Sequence, residues 1–249
     1  MTDEEKYRFD LNGYLVLKGV LSNDQLTALN AYVDQRLAAA ESGKTNYRFG
    51  GNLENATVRE AIALPRALEV LSDVLSRQAR LDHDYIDVIM PKAGLGPIGA
   101  VLHGGGEPYD LGQSYQFKSG KMHNGLVVLA YALKDCNPGD GGFACVPGSH
   151  KANYPLPTSW RDMAQGMAED VKVVSCKAGD AVLFTEALTH GTAPWNGADE
   201  RRTLFLKYSP HFMAWGVPGY NALQYSDLSE EASTLLEGPN YRYQGRRRD

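Results

Sequence analysis

Two histidines and an arginine carry the strongest chemical signal in this chain. His103 and His190 each close an apolar, strand-like run, AVLH and AVLFTEALTH. Imidazoles that converge at strand ends are ligands for iron, copper or zinc. Arg201 follows His190 by eleven residues and opens the next β-rich run, RRTLFLKYSP. A guanidinium fork at the start of a strand suits bidentate capture of a carboxylate. Thr192 falls two residues after His190, on the same strand face, where its hydroxyl adds a donor. Alternation turns one of Arg201 and Arg202 inward without saying which, and the outward partner has Asp199 and Glu200 beside it for surface ion pairs.

Other chemistries lack their context. Gly94, Gly96 and Gly99 spell GxGxxG after a strand-like run, but a dinucleotide site needs a helix to start there, and the chain continues as AVLHGGG. These glycines read as a loop. Neither a GxxxxGK[ST] phosphate loop nor a GxSxG nucleophile elbow occurs. Cys136, Cys145 and Cys176 are an odd set without CxxC spacing, which argues against a disulfide framework or a zinc knuckle and for small buried hydrophobes.

The elements that must position these residues follow from composition and period. The 249 residues, 43% of them apolar, suffice for one domain over 1–249 with a real core. Glycine, 26 residues or roughly a tenth against about 7% in average usage, argues against a pure helical bundle. Up to about residue 80 the pattern is helical: Ser22 and Gln25 make a capping box ahead of Leu26, Leu29, Val33 and Leu37, Thr57 and Glu60 repeat the device, and Pro65 opens a stripe of Leu68, Leu71, Val74 and Leu75. A short strand is expected over 13–18. From about 85 to 210 short β-rich runs alternate with Gly, Pro and Asp-Gly turns, the texture of an antiparallel sandwich or barrel, so a jelly roll or cupin-like double-stranded β-helix with N-terminal helices is expected. A tail over 211–249 includes one short helical stretch around Leu228 to Leu236. The net charge of −5 and pI near 5.7 argue against nucleic acid or an anionic membrane as partner, with Arg246, Arg247 and Arg248 read as a solvated tail. No apolar window reaches membrane length, and the acidic start does not resemble a signal peptide, so a cytoplasmic protein is expected; the acidic charge and small size point to a free small molecule as substrate, not a carrier-protein domain.

Three segments together, FDLNGYLVLKGVLSNDQL, DCNPGDGGFACVPGSHK and AGDAVLF…HGTAPWNG…RRTLFLKYSP, resemble the phytanoyl-CoA dioxygenase family of Fe(II)- and 2-oxoglutarate-dependent oxygenases, in the family's order over most of the chain. The resemblance implies that His103 and His190 bind Fe(II) and that Arg201, assisted by Thr192, holds the 2-oxoglutarate carboxylate. It further implies that O2 reacts at the iron to hydroxylate a C–H bond, with release of succinate and CO2. His150 and the Gly179–Asp180 turn match family framework.

At one position the chain departs from the family. Where an acid usually stands two residues after the first histidine, this chain has His103, Gly104, Gly105. Three accounts follow: Glu107 or Asp110 swings in as the third ligand; a chloride or bromide binds beside two histidines at Gly105, as in 2-oxoglutarate-dependent halogenases; or the metal site is weakened and the barrel only binds a small molecule. An active oxygenase is the favoured account, because both histidines, Arg201 and Thr192 are retained. Tyr109, Tyr115, Phe117, Lys121 and Asn124, in the stretch after His103, are the candidate substrate contacts. His123, also in an HxG string, stands directly before LVVLAYAL and ranks as a pocket residue at best.

Overall fold

The computed structural model describes residues 1–75, 79–91, 95–216 and 219–239. Gly94 of the glycine string and Arg246 to Arg248 lie outside the described residues.

Helix α1 (Asp3–Asn12) starts at a capping box between Thr2 and Glu5 and stops at Gly13, whose φ of 79° is open to glycine. Helix α2 (Asn23–Ala39) carries the expected Ser22–Gln25 box. Helix α3 (Ala56–Ala61) is capped differently from the sequence reading: the Asn55 side chain accepts from Val58 N, which puts Thr57 inside the helix instead of at its cap. Helix α4 (Pro65–Val74) opens on its proline and buries Ala67, Val70, Leu71 and Val74. Helix α5 (Glu230–Leu235) is the short helix of the tail. Among the described residues, no helix is long and apolar enough to cross a membrane.

Among the described residues, eleven strands are antiparallel throughout: β1 (Tyr14–Leu17), β2 (Asn46–Gly50), β3 (Ala79–Ile89), β4 (Tyr115–Lys118), β5 (Lys121–Asn124), β6 (Val127–Ala132), β7 (Gly142–Cys145), β8 (Lys172–Val173), β9 (Ala181–Thr185), β10 (His190–Ala193) and β11 (Arg201–Pro210). Six form a large sheet in the order β1-β9-β6-β11-β3-β2, three a small one in the order β10-β7-β8, and β4 and β5 a separate hairpin. The architecture is the expected jelly roll with N-terminal helices, its two sheets open at the edges, with no closed barrel among the described residues.

Alternation sorts the large sheet into two faces. Leu129, Tyr131, Ile86, Val88, Leu204, Leu206 and Tyr208 join the helices in one apolar cluster. There the buried hydroxyls of Tyr131 and Tyr208 donate to the carbonyls of Ala61 and Ile62. Val128, Ala130, Val182, Phe184 and Phe205 point the other way and meet Phe143, Cys145, Leu188 and Trp195 between the sheets. Cys136, Cys145 and Cys176 are buried free thiols, as expected.

Two expected runs are cut differently. AVLH contributes only isolated bridges, of Val101 with Asp162 and His103 with His190. AVLFTEALTH breaks after Thr185, where a turn closed by Leu188 N donating to Thr185 O takes the chain out of the large sheet. His190 therefore opens β10 in the small sheet instead of closing β9. The segment after His103 lies across that turn: a Cβ at Gly104 (φ 77°) would stand 2.7 Å from Leu188 O and 2.8 Å from Glu186 O.

His150 ties the helical front to this end of the fold. It is 2% exposed, its Nε2–H donates to Asp10 O over 3.0 Å, and the Tyr115 ring meets it edge-on. Burial, seconded by the Lys151 ammonium, pulls its pKa from 6.5 to about 4, against the pull of Asp10.

Two expectations follow. Gly104→Ala places a methyl against two backbone carbonyls, whereas Gly120→Ala, also at positive φ (73°), places one in open space. Both carry the left-handed penalty of about 1–2 kcal/mol, so urea unfolding should show a clearly larger loss for Gly104→Ala; equal losses would contradict the packing described. Between pH 6.5 and about 4 the unfolded chain takes up a proton at His150 that the folded chain refuses, so stability falls as the pH drops through that window, by about 2 kcal/mol at pH 5 from this group. His150→Gln should show a correspondingly shallower loss of urea stability between pH 8 and pH 5, and an unchanged slope would contradict the burial.

Candidate active site

Site assembly begins in the backbone. His103 N donates to His190 O and His190 N to His103 O, both over 2.8 Å. Residues that exchange both hydrogen bonds across an antiparallel pair project their side chains to the same face. The two imidazoles accordingly lie together, edge to face, with ring centroids 4.3 Å apart.

Their protonation is fixed by the surroundings. His190 is 6% exposed, and its Nδ1–H donates to Leu188 O over 2.6 Å, because a carbonyl can only accept. In the neutral ring this leaves the Nε2 lone pair free, the arrangement that orients a ligating imidazole. Burial lowers the pKa of His190, with the nearby Glu186 carboxylate opposing. Burial, then proximity to His190, lowers that of His103 to about 3. Both rings are neutral at pH 7, as metal binding requires.

They line a cavity of about 140 Å³ between the sheets, walled by Phe143, Phe184 and Phe205. Charged groups converge on it from several strands. Glu186, on the turn before β10, is 3% exposed; its Oε1 accepts from Lys207 Nζ over 2.7 Å, and its Oε2 stands 3.9 Å from His190 Nε2. Burial raises this carboxyl's pKa, but the Lys207 ammonium, the neighbouring His190 and the hydrogen bond from Lys207 together outweigh burial and hold it at about 2. Arg48 grips Asp87 through two bonds of 2.7 Å, with its guanidinium 4.3 Å over the Tyr85 ring. Tyr85 in turn stacks on Phe205 at 4.8 Å.

Arg201 settles the choice that alternation left open. Arg201, Phe205 and Lys207 line the cavity, whereas Arg202 faces the helices and binds Asp34 at 2.5 Å and Glu200 at 2.7 Å. Arg201 is 4% exposed and its buried Nε lacks a hydrogen-bond partner. An unsatisfied buried donor costs about 1–3 kcal/mol and marks a place where a ligand completes the bonding. Thr192, opposite Phe143 on β10, lines the same cavity.

Several sequence candidates lie elsewhere. Gly106 packs against the Ala152 carbonyl, so closely that a Cβ there would stand 3.1 Å from the oxygen, and it carries the chain away from the histidines. Glu107 and Tyr109 consequently line a separate, outer hollow of about 540 Å³ with Tyr115, Phe117 and His150. Asp110 caps the following turn through Gly112 N at 2.7 Å. Tyr115 bonds Asp10, Phe117 is 65% exposed, and Lys121 lines a second outer hollow. Asn124 is buried and donates to Val74 O, and His123 sits on the hairpin against Lys118 O. The hairpin of β4 and β5 directs Tyr115 toward α1 and Asn124 toward α4, and not toward the cavity. A Cβ at Gly105 (φ 107°) would face Thr189 Oγ1 at 3.0 Å, not the imidazoles.

Glu186, Lys207, Arg48, Asp87 and Tyr85 were missed by the sequence reading. Parity held the signal for two of them: Lys207 is six residues after Arg201 on one strand, and Glu186 continues the inward series of Val182 and Phe184. Arg48 comes from a strand whose single buried position, Phe49, gives no β pattern to read.

The fold is similar to that of solved structures. Structures of HygX from Streptomyces hygroscopicus superpose on the chain: with nickel and 2-oxoglutarate bound, the TM-score is 0.76 at 26% identity, covering 86% of this chain and 89% of HygX. With nickel, 2-oxoglutarate and hygromycin B bound, the values are 0.73, 28%, 86% and 89%, and with iron bound 0.72, 26%, 86% and 88%. No curated protein sequence matches. The family model for phytanoyl-CoA dioxygenase matches residues 9–203, a span that includes both histidines, Glu186, Thr192 and Arg201. The chain belongs to the phytanoyl-CoA dioxygenase family.

Proposed function

We propose that this protein is an Fe(II)- and 2-oxoglutarate-dependent oxygenase that hydroxylates a C–H bond of a small molecule. The carrying observation is the coincidence, in one cavity, of two backbone-paired neutral imidazoles and a buried arginine with an orphaned Nε. The donor set fits the cofactor. His190, with its free Nε2, and His103 beside it suit Fe(II). Arg201, with Thr192 on β10, suits the far carboxylate of 2-oxoglutarate.

When bound, iron and 2-oxoglutarate supply the oxidising chemistry, with O2 consumed and succinate and CO2 released. The chain's residues supply position and environment. The Leu188 carbonyl keeps the His190 proton on Nδ1, so the ring cannot turn its lone pair away from the cavity. The Phe143, Phe184 and Phe205 rings exclude water, which strengthens the pairing of Arg201 with a carboxylate. The Arg48–Asp87 pair holds the Tyr85 side of the wall by closing its own charges. A small-molecule substrate is supported by HygX, whose structure holds hygromycin B. Hydroxylation is favoured over halogenation because a carboxylate, Glu186, stands beside the histidines in the same cavity, 3.9 Å from His190 Nε2.

Anaerobic addition of Fe(II) and 2-oxoglutarate should give a visible charge-transfer band. It should vanish in His190→Ala and Arg201→Ala and persist in Arg202→Ala, whose partners are Asp34 and Glu200. In air, the wild-type protein should form succinate. No band together with no succinate across a panel of small molecules including hygromycin B would overturn the assignment and leave a small-molecule-binding jelly roll.

A further inference from the structure

An acid is missing two residues after His103, and neither acid in the following segment reaches the imidazoles. A carboxylate nevertheless stands beside them, supplied by the turn that leads into the second histidine. Glu186 is 3% exposed and its two oxygens are divided: Oε1 is held by Lys207 at 2.7 Å, and Oε2 lies 3.9 Å from His190 Nε2. That nitrogen is the one left free by the Leu188 hydrogen bond.

Distance and charge both suit ligation. An ion about 2.1 Å from each of two donors sets those donors about 3–4 Å apart, and 3.9 Å lies at the wide end of that span. Among the described residues no three His, Cys, Asp or Glu side chains already form a closed metal cluster. Closing this one takes a turn of the Glu186 carboxylate toward the imidazoles with Oε1 still on Lys207. The lysine is 14% exposed and shares the inward face of β11 with Arg201. It holds the unused oxygen in the way that hydrogen-bonded partners orient ligating carboxylates.

We propose that Glu186 is the third protein ligand of the iron, replacing the acid absent at residue 105, and that Lys207 is its positioning residue. The proposal rests on the oxygenase assignment above. Two imidazoles and one carboxylate form a facial set with open positions for cosubstrate and oxygen. A halide is then not needed to complete the shell.

The test uses Fe(II) alone, titrated anaerobically into the full-length protein and followed by calorimetry, with Co(II) absorption as a second readout of the ligand set. Glu186→Gln keeps an acceptor for Lys207 and removes the ligating charge; it should weaken Fe(II) binding by more than about tenfold, the lower end of what even an outer-shell change costs, and alter the Co(II) spectrum. Lys207→Met should weaken binding less and leave the Co(II) spectrum close to wild type. Glu107→Gln should match wild type in both. Circular dichroism reports whether each variant folds, and if Glu186→Gln does not, Glu186→Asp, which withdraws the oxygens by one methylene, gives the same comparison. A folded Glu186→Gln or Glu186→Asp with wild-type affinity and spectrum overturns the ligand assignment while leaving the oxygenase assignment standing. A wild-type protein that binds neither Fe(II) nor Co(II) overturns both.

Discussion

Two backbone hydrogen bonds between His103 and His190 hold this site together. They are not part of a long ladder: His103 belongs to no extended strand, and its bridge to His190 is isolated. The pairing survives because the segment around it is over-determined. Gly104 presses on the carbonyls of Glu186 and Leu188, Val146 N donates to Thr189 O, and the Ser149 hydroxyl accepts from Thr189 N. Each contact fixes the turn over 186–189, and that turn sets the direction of Glu186, the carbonyl that locks the His190 tautomer, and the entry of β10 into the small sheet.

Around this pair the fold solves an electrostatic problem. The large sheet brings Asp87, Arg201 and Lys207 inward between two apolar layers, where unpaired charge costs several kcal/mol per ion, and sets Arg48 at the exposed edge of the cavity. Arg48 and Asp87 neutralise each other, and so do Lys207 and Glu186. Arg201 is left with an unmet donor. Among the described residues the other charges of the cavity are matched and the Arg201 Nε is not, which suits an anionic guest, and the 140 Å³ available favours a compact one.

The sequence made much of this legible, for physical reasons that can be traced. His103, His190, Thr192 and Arg201 sit in short strands or bridges, where motif spacing and period-2 parity translate directly into shared faces. The capping box at Ser22 and the proline at residue 65 work locally, and both are found where read. The losses come from tertiary context. Asn55 outcompetes Thr57 as a cap, and a turn hidden inside AVLFTEALTH moves His190 into another sheet. Glu107 and the aromatic residues after it were close to His103 in sequence, yet the glycine run carries them to an outer hollow. Glu186 was equally close to His190 but inside an apolar run, where its charge has no local explanation until Lys207 is brought across from β11.

The central claim, that the His103–His190 pair and Arg201 address one metal-and-carboxylate guest, is tested most directly by a crystal structure grown anaerobically with Mn(II) and 2-oxoglutarate. The expected result is a metal on His103 and on Nε2 of His190, with the far carboxylate of 2-oxoglutarate bonded to Arg201. A metal bound away from the histidine pair, or 2-oxoglutarate seated away from Arg201 with its Nε still unpaired, would contradict it.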